Sequence, residues 1–110
     1  MSFALTTEQV RNKTKTVTRR FGWWFLKPGD ELFAVEKAMG LKKGEQIKRL
    51  AKIRVVSTRR EPLMAITQSD CVKEGFPDHD PHTFVDMLQD YYGGDISPDA
   101  PCNRIEFEYI

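Results

Sequence analysis

A chain of 110 residues, 40% of them hydrophobic and 30% charged, can bury one modest core, which predicts a single small domain over residues 1–110. No apolar run approaches membrane-spanning length and the opening MSFALTTEQ has neither a basic leader nor an apolar signal core, so a cytoplasmic protein without a membrane partner is expected; Cys71 and Cys102, too few and too far apart for a disulfide framework or structural zinc, are expected as buried reduced thiols. The net charge of +1 conceals a division, because residues 1–60 carry 15 of the 17 lysines and arginines against 5 acids while residues 61–110 carry 2 against 11, and the clustering of the cations predicts a polarised surface that attracts phosphate on one side.

In chain order, Thr6-x-x-Gln9 fits a capping box and predicts a brief helix from about Thr7. It leads into Arg11–Arg20, RNKTKTVTRR, which holds five cations, three threonines and no carboxylate. Lysine and arginine supply charge and donors, threonine hydroxyls donate, accept or attack, and Thr16, Val17 and Thr18 favour an extended backbone. A segment of this kind suits an anion or a polar planar ligand, and equally a solvated basic loop. Phe21-Gly22-Trp23-Trp24-Phe25 follows. Tryptophans beside cations form a stacking platform for a base, although core packing is their commoner use. A strand through them would face Trp23 and Trp24 oppositely, one into the core and the other toward the ligand.

Lys27-Pro28-Gly29-Asp30 reads as a turn into a strand over Glu31–Glu36, and Met39–Gly44 as a loop. A second basic patch spans Lys42–Arg60, with eight cations opposed only by Glu45. Within it Ala51, Ile53, Val55 and Ser57 alternate with Lys52, Arg54, Val56 and Thr58, the period of a half-buried strand with Lys52 and Arg54 on the outer face. Thr67-x-x-Asp70 starts a second helix that Gly75 ends, with Phe76 packing back onto it. This puts Glu74 in the last turn, where the helix dipole disfavours a carboxylate, so Glu74 either tolerates a small penalty beside Lys73 or has a partner or task. Asp78, His79, Asp80 and His82 look like metal ligands, but Asp80-Pro81 is a helix start, and no metal is expected. Phe84, Leu88 and Tyr91 share one face of that third helix before Gly93-Gly94. Pro98 and Pro101 mark a loop, and Ile105, Phe107 and Tyr109 alternate with Glu106 and Glu108 in a last strand. The sum is an α+β fold of short strands with about three short helices.

Lys15-Thr16-Val17-Thr18-Arg19-Arg20 resembles the signature segment of ASCH domains, relatives of the PUA fold, in which a Gly-x-Lys is followed by an arginine five residues after the lysine. Lys15 and Arg20 keep that interval, and Lys13 stands in place of the glycine, so a residue disfavoured at positive φ must make that turn or the backbone there differs. Pro28-Gly29-Asp30, Glu74-Gly75-Phe76 and Asn103–Phe107 extend the resemblance over most of the chain, and the Lys-Thr-x-Thr-Arg-Arg form is similar to members from phages and prophages. It implies a PUA-like small mixed β-barrel that binds a modified nucleoside or single-stranded RNA and needs no cofactor. One bacterial branch consists of amidohydrolases that deacetylate N4-acetylcytidine, and their lysine, threonine and glutamate match Lys15, Thr18 and Glu74. The implied chemistry has neighbouring cations and burial lower the Lys15 pKa, Lys15 take the Thr18 proton, Thr18 attack the acetamide, Glu74 orient the lysine or pass the proton on, and Arg20 or a main-chain amide hold the oxyanion. A regular strand would face Lys15 and Thr18 oppositely, so a bend or bulge is required between them. Lys13, Arg19, Arg20, Trp23, Trp24, Lys52 and Arg54 are the expected substrate or RNA contacts. A non-catalytic RNA-binding module is the alternative. Ribonuclease activity ranks third, because no histidine lies near the motif.

Overall fold

The computed structural model describes residues 1–38 and 40–110; Met39, the first residue of the expected Met39–Gly44 loop, lies outside them, and residues 40–44 are irregular. The elements run α1 (Thr7–Arg11), β1 (Val17–Arg20), β2 (Glu31–Val35), β3 (Arg49–Pro62), a 3₁₀ turn (Leu63–Ala65), α2 (Gln68–Lys73), α3 (Pro81–Tyr91) and β4 (Pro101–Tyr109). All four strands pair antiparallel in the order β1-β4-β3-β2. The sheet curls into a half-barrel, so the α+β, PUA-like architecture expected from the sequence is present, with three helices.

Local chemistry explains most boundaries. At α2 the Thr67 hydroxyl accepts from the Asp70 amide (3.2 Å). The helix closes in a Schellman turn, in which the Gly75 amide donates to the Val72 carbonyl and the Phe76 amide to that of Cys71, with Gly75 at φ 98°. Asp80 caps α3 by accepting from the Thr83 amide (2.7 Å), with Pro81 in the first turn. The capping box expected at α1 does not form. Thr6 has a backbone unsuited to side-chain capping (φ −126°, ψ 33°), the Thr7 hydroxyl bonds the Phe3 carbonyl, and the Gln9 amide reaches across to the Gly75 carbonyl. Lys13 does make its turn with positive φ (61°).

The strand read from Ala51 onward is 14 residues long and has a bulge that alternation alone cannot show. Val55 pairs with Phe107 and Ser57 with Glu106, which leaves Val56 as the extra, exposed residue. Beyond it the faces exchange, so Thr58, expected outside, sits opposite the buried Ile105, and Ser57, expected inside, turns toward Glu106. A second departure concerns Trp23 and Trp24, which occupy a turn after β1 rather than a strand.

The core comprises Leu63, Ile66, Cys71, Phe84, Val85 and Leu88 under the helices, and Phe3, Val10, Ala34, Ile53 and Phe107 against the sheet, with Leu26, Val55 and Ile105 beside them. Cys71 and Cys102 are buried free thiols; burial pushes the Cys102 pKa up to about 11. Among the described residues no helix is long and apolar enough to cross a membrane.

Candidate functional site

β1 is an edge strand, and the basic motif therefore borders a space that no further strand fills. A cavity of about 190 Å³ lies there, walled by Ser2–Thr6 of the amino-terminal segment, by Phe84, Met87, Leu88, Tyr91 and Tyr92 of α3 and its end, and by Phe76. Its polar side holds Lys15, Thr18, Arg19, Arg20 and Glu74. Lys15 precedes β1 and escapes its alternation, because its segment is tied to the end of α2 by the Thr16 amide donating to the Lys73 carbonyl (2.8 Å). This irregular approach supplies the bend that Lys15 and Thr18 require to share a cavity.

Lys15 and Glu74 are each 3% exposed. The Lys15 side-chain nitrogen Nζ donates to Glu74 Oε1 (2.7 Å) and to the Glu74 carbonyl oxygen (2.8 Å). Burial lowers the Lys15 pKa; Glu74 opposes that shift and the Arg20 and Arg19 charges add to it. Glu74 thus has the partner that its place at the end of α2 demands.

Arg19 is also buried, and its two terminal nitrogens are committed to carboxylates while its Nε has no hydrogen-bond partner among the described residues. It donates to Glu74 Oε2 (3.0 Å), Glu61 Oε1 (2.6 Å) and Asp70 Oδ2 (2.5 Å). Burial works against this guanidinium, and Glu74 and Asp70 more than offset it, holding Arg19 charged. In register Arg19 sits opposite Arg104 of β4, a like-charge pair that would destabilise the sheet. Asp70 bridges them, accepting from Arg104 Nε (2.7 Å) and Nη2 (3.0 Å) as well. Hydrogen bonds from Arg104 and, after the cost of burial, from Arg19 hold the Asp70 carboxyl well below its usual range. The charge division between the chain's two halves is therefore partly cancelled inside the fold.

Arg20 differs. Nε donates to Thr18 Oγ1 (3.1 Å) and Nη2 to the Ser2 carbonyl (2.7 Å), and the guanidinium lies 4.7 Å over the Phe3 ring. Among the described residues no carboxylate lies within ion-pair distance of it. Burial lowers its pKa and also raises that of Tyr92 across the cavity. The cavity thus contains a positive charge without a carboxylate counterpart, a buried amine and a hydroxyl, backed by aromatic walls.

The other sequence-derived candidates lie elsewhere. Lys13 is in the exposed turn before the motif. Lys52 and Arg54, on the outer face of β3, pair with Glu31 (3.2 and 3.4 Å), and Arg54 also with Glu108 (3.1 Å). Trp23 lines a neighbouring groove, and Trp24 lies under Arg60 at 5.1 Å. His79 packs on Phe76 and His82 faces Asp86. Sequence reasoning missed the amino-terminal wall, Tyr92 and the Asp70 clamp. The Thr67-x-x-Asp70 spacing explained Asp70 as a helix-start residue, which concealed its second use.

An antiparallel half-barrel flanked by short helices is a PUA-like fold. Within that class the fold is that of an ASCH domain. The ASCH domain from Lactobacillus crispatus JV V101 superposes with a TM-score of 0.69 at 11% identity, covering 96% of this chain and 70% of that one. The hypothetical protein PH0355 is similar at TM-score 0.65 and 17% identity (98% and 94% covered), as is the protein EF3133 of Enterococcus faecalis V583, of family DUF984, at 0.64 and 18% (96% and 67% covered). No family model and no curated protein matches the chain.

Proposed function

We propose that this ASCH-type domain, taken as one unit over residues 1–110, binds the base of a modified nucleoside or single-stranded RNA in the edge-strand cavity and hydrolyses the acetyl amide of N4-acetylcytidine. The cavity, about 190 Å³, is smaller than the roughly 300–1,000 Å³ typical of drug-sized ligands, and suits one planar ring with its sugar at the mouth.

The observation that carries the reaction is the hydrogen bonding of Lys15 Nζ. Nζ makes two hydrogen bonds, both to Glu74, which leave it one further position; in the neutral amine that position is a lone pair. Burial favours that neutral form, and the lone pair is then available as a base. Lys15 takes the Thr18 hydroxyl proton as Oγ1 bonds to the acetyl carbon, and the carbonyl electrons move to oxygen beside the Arg20 guanidinium. Collapse breaks the C–N4 bond, and the Lys15 ammonium returns its proton to the departing amine. Water then cleaves the Thr18 acetyl ester by the same route, releasing acetate. Glu74 orients the lysine, and Arg19, through its bond to Glu74, holds that carboxylate in place.

One observation favours non-catalytic binding as the second reading. Thr18 Oγ1 accepts from Arg20, and no hydrogen bond joins it to Lys15. Incubating the protein with N4-acetylcytidine and following cytidine by chromatography separates the two. Hydrolysis predicts product that Lys15→Ala and Thr18→Ala both abolish, with nucleoside affinity surviving Thr18→Ala. No product at high protein concentration sinks the reaction and leaves a binding module, whose affinity for single-stranded RNA would fall steeply with salt.

A further inference from the structure

We infer that the aromatic groove beside the cavity is a second subsite, which stacks the neighbouring nucleotide of a single-stranded RNA, so that the protein takes a strand in preference to a free nucleoside. This rests on the reading of the first cavity as a nucleobase site. The groove encloses about 400 Å³ and is lined by Arg20, Phe21, Gly22, Trp23, Phe25 and Tyr92, four aromatic rings and one cation with no acid. Arg20 and Tyr92 also line the first cavity, so the two spaces adjoin across these side chains.

Phe21 and Trp23 are half-buried and pack against the core, whereas Phe25 and Trp24 are displayed where core packing does not require them. Phe25 is 73% exposed and Trp24 47%. Trp23 stands at φ 59°, a backbone that costs a non-glycine residue about 1–2 kcal/mol. It is held there by Asn103 Nδ2 and the Leu26 amide, which both donate to its carbonyl (3.0 and 3.1 Å). The turn sets the Trp23 and Phe25 rings 5.6 Å apart, tilted by 38°.

Charge identifies the occupant. Arg20 lines the groove, and Arg60 lies 5.1 Å over the ring of Trp24, the residue between Trp23 and Phe25. Neither arginine has a carboxylate within ion-pair distance among the described residues. Exposed rings with guanidinium groups near them that no carboxylate compensates suit stacked bases joined by phosphates.

The test uses Thr18→Ala protein, so that no probe is consumed, and two probes: N4-acetylcytidine, and an RNA pentanucleotide carrying it centrally. The pentanucleotide is expected to bind more tightly than the nucleoside. Adding Phe25→Ala should weaken the pentanucleotide roughly five- to a hundredfold, the range for one lost base stack, and leave the nucleoside within about twofold. Retained nucleoside binding shows that the variant is folded. Phe33→Ala removes another exposed aromatic beside cations, Arg49 and Lys52, on β2, and should change neither affinity. Equal affinities for the two probes, an equal loss of both in Phe25→Ala, or a Phe33→Ala loss as large overturns the second subsite while leaving the first intact. Failure of both probes to bind overturns the nucleobase reading, and the inference with it.

Discussion

Replacing Glu74 by glutamine removes the one carboxylate that Lys15 contacts and one of three on Arg19, with almost no change in shape. Removing one partner of a buried ion pair typically costs about 3–5 kcal/mol; because Arg19 keeps Glu61 and Asp70 and glutamine keeps a carbonyl acceptor, a loss of about 3 kcal/mol is expected at pH values where Lys15 is charged. That is a large share of the roughly 5–15 kcal/mol that stabilises a domain. The loss should depend on pH in a defined direction. Burial already lowers the Lys15 pKa, and Glu74 opposes this, so without Glu74 the folded pKa falls further. A group whose folded pKa is depressed binds fewer protons folded than unfolded, and stability then rises with pH up to the unfolded value near 10.4. Between the variant's folded pKa and the wild type's, the deficit should therefore shrink by up to about 1.4 kcal/mol per pH unit. Urea denaturation of both proteins from pH 6 to 10 measures it. A deficit constant or growing across that range, or one whose pH dependence persists when Lys15→Met is added, would refute the argument.

For Asp70 the deficit from its loss runs the other way, growing as pH rises. Its folded pKa is depressed by Arg104 and Arg19, so the stability it confers is complete above its unfolded pKa near 3.9 and drains away as pH falls below that value; acid titration of Asp70→Asn should show a shallower decline than the wild type, and parallel curves would refute the bridge. Lys13→Gly places glycine at φ 61°, and should be neutral or stabilising by up to about 1 kcal/mol in thermal denaturation, whereas a clear loss would mean that the Lys13 side chain contributes to folding.

Signals that lie within a few residues were legible in the chain. The Thr67 and Asp80 caps, the Gly75 and Gly93-Gly94 stops and the alternating strand ends each depend on backbone chemistry local to the segment, and the helices and strands stand where those signals put them. Capping at α1 failed because Thr6-x-x-Gln9 competes with longer-range partners, and Gln9 bonds Gly75 across the fold. The bulge at Val56 was invisible because Val56 fits the alternation and only the β4 register shows it to be supernumerary. The expected strand through Trp23 and Trp24 does not form because the chain turns there, and a positive φ at Trp23 has no local signature.

The sequence by itself determined the α+β content, the resemblance to ASCH domains and the concentration of lysine, threonine and arginine in one motif, since all three follow from residue type and short spacing. Only the tertiary structure decided which of those groups is charged, paired or accessible. Lys15 and Glu74 are 59 residues apart in the chain and 2.7 Å apart in space, and Arg19 and Arg20 are adjacent in sequence, yet one is neutralised by three carboxylates and the other faces the cavity with none. Charge state and reactivity depend on desolvation and on neighbours brought from distant segments, and those are set when β1, α2 and α3 pack around a single cavity.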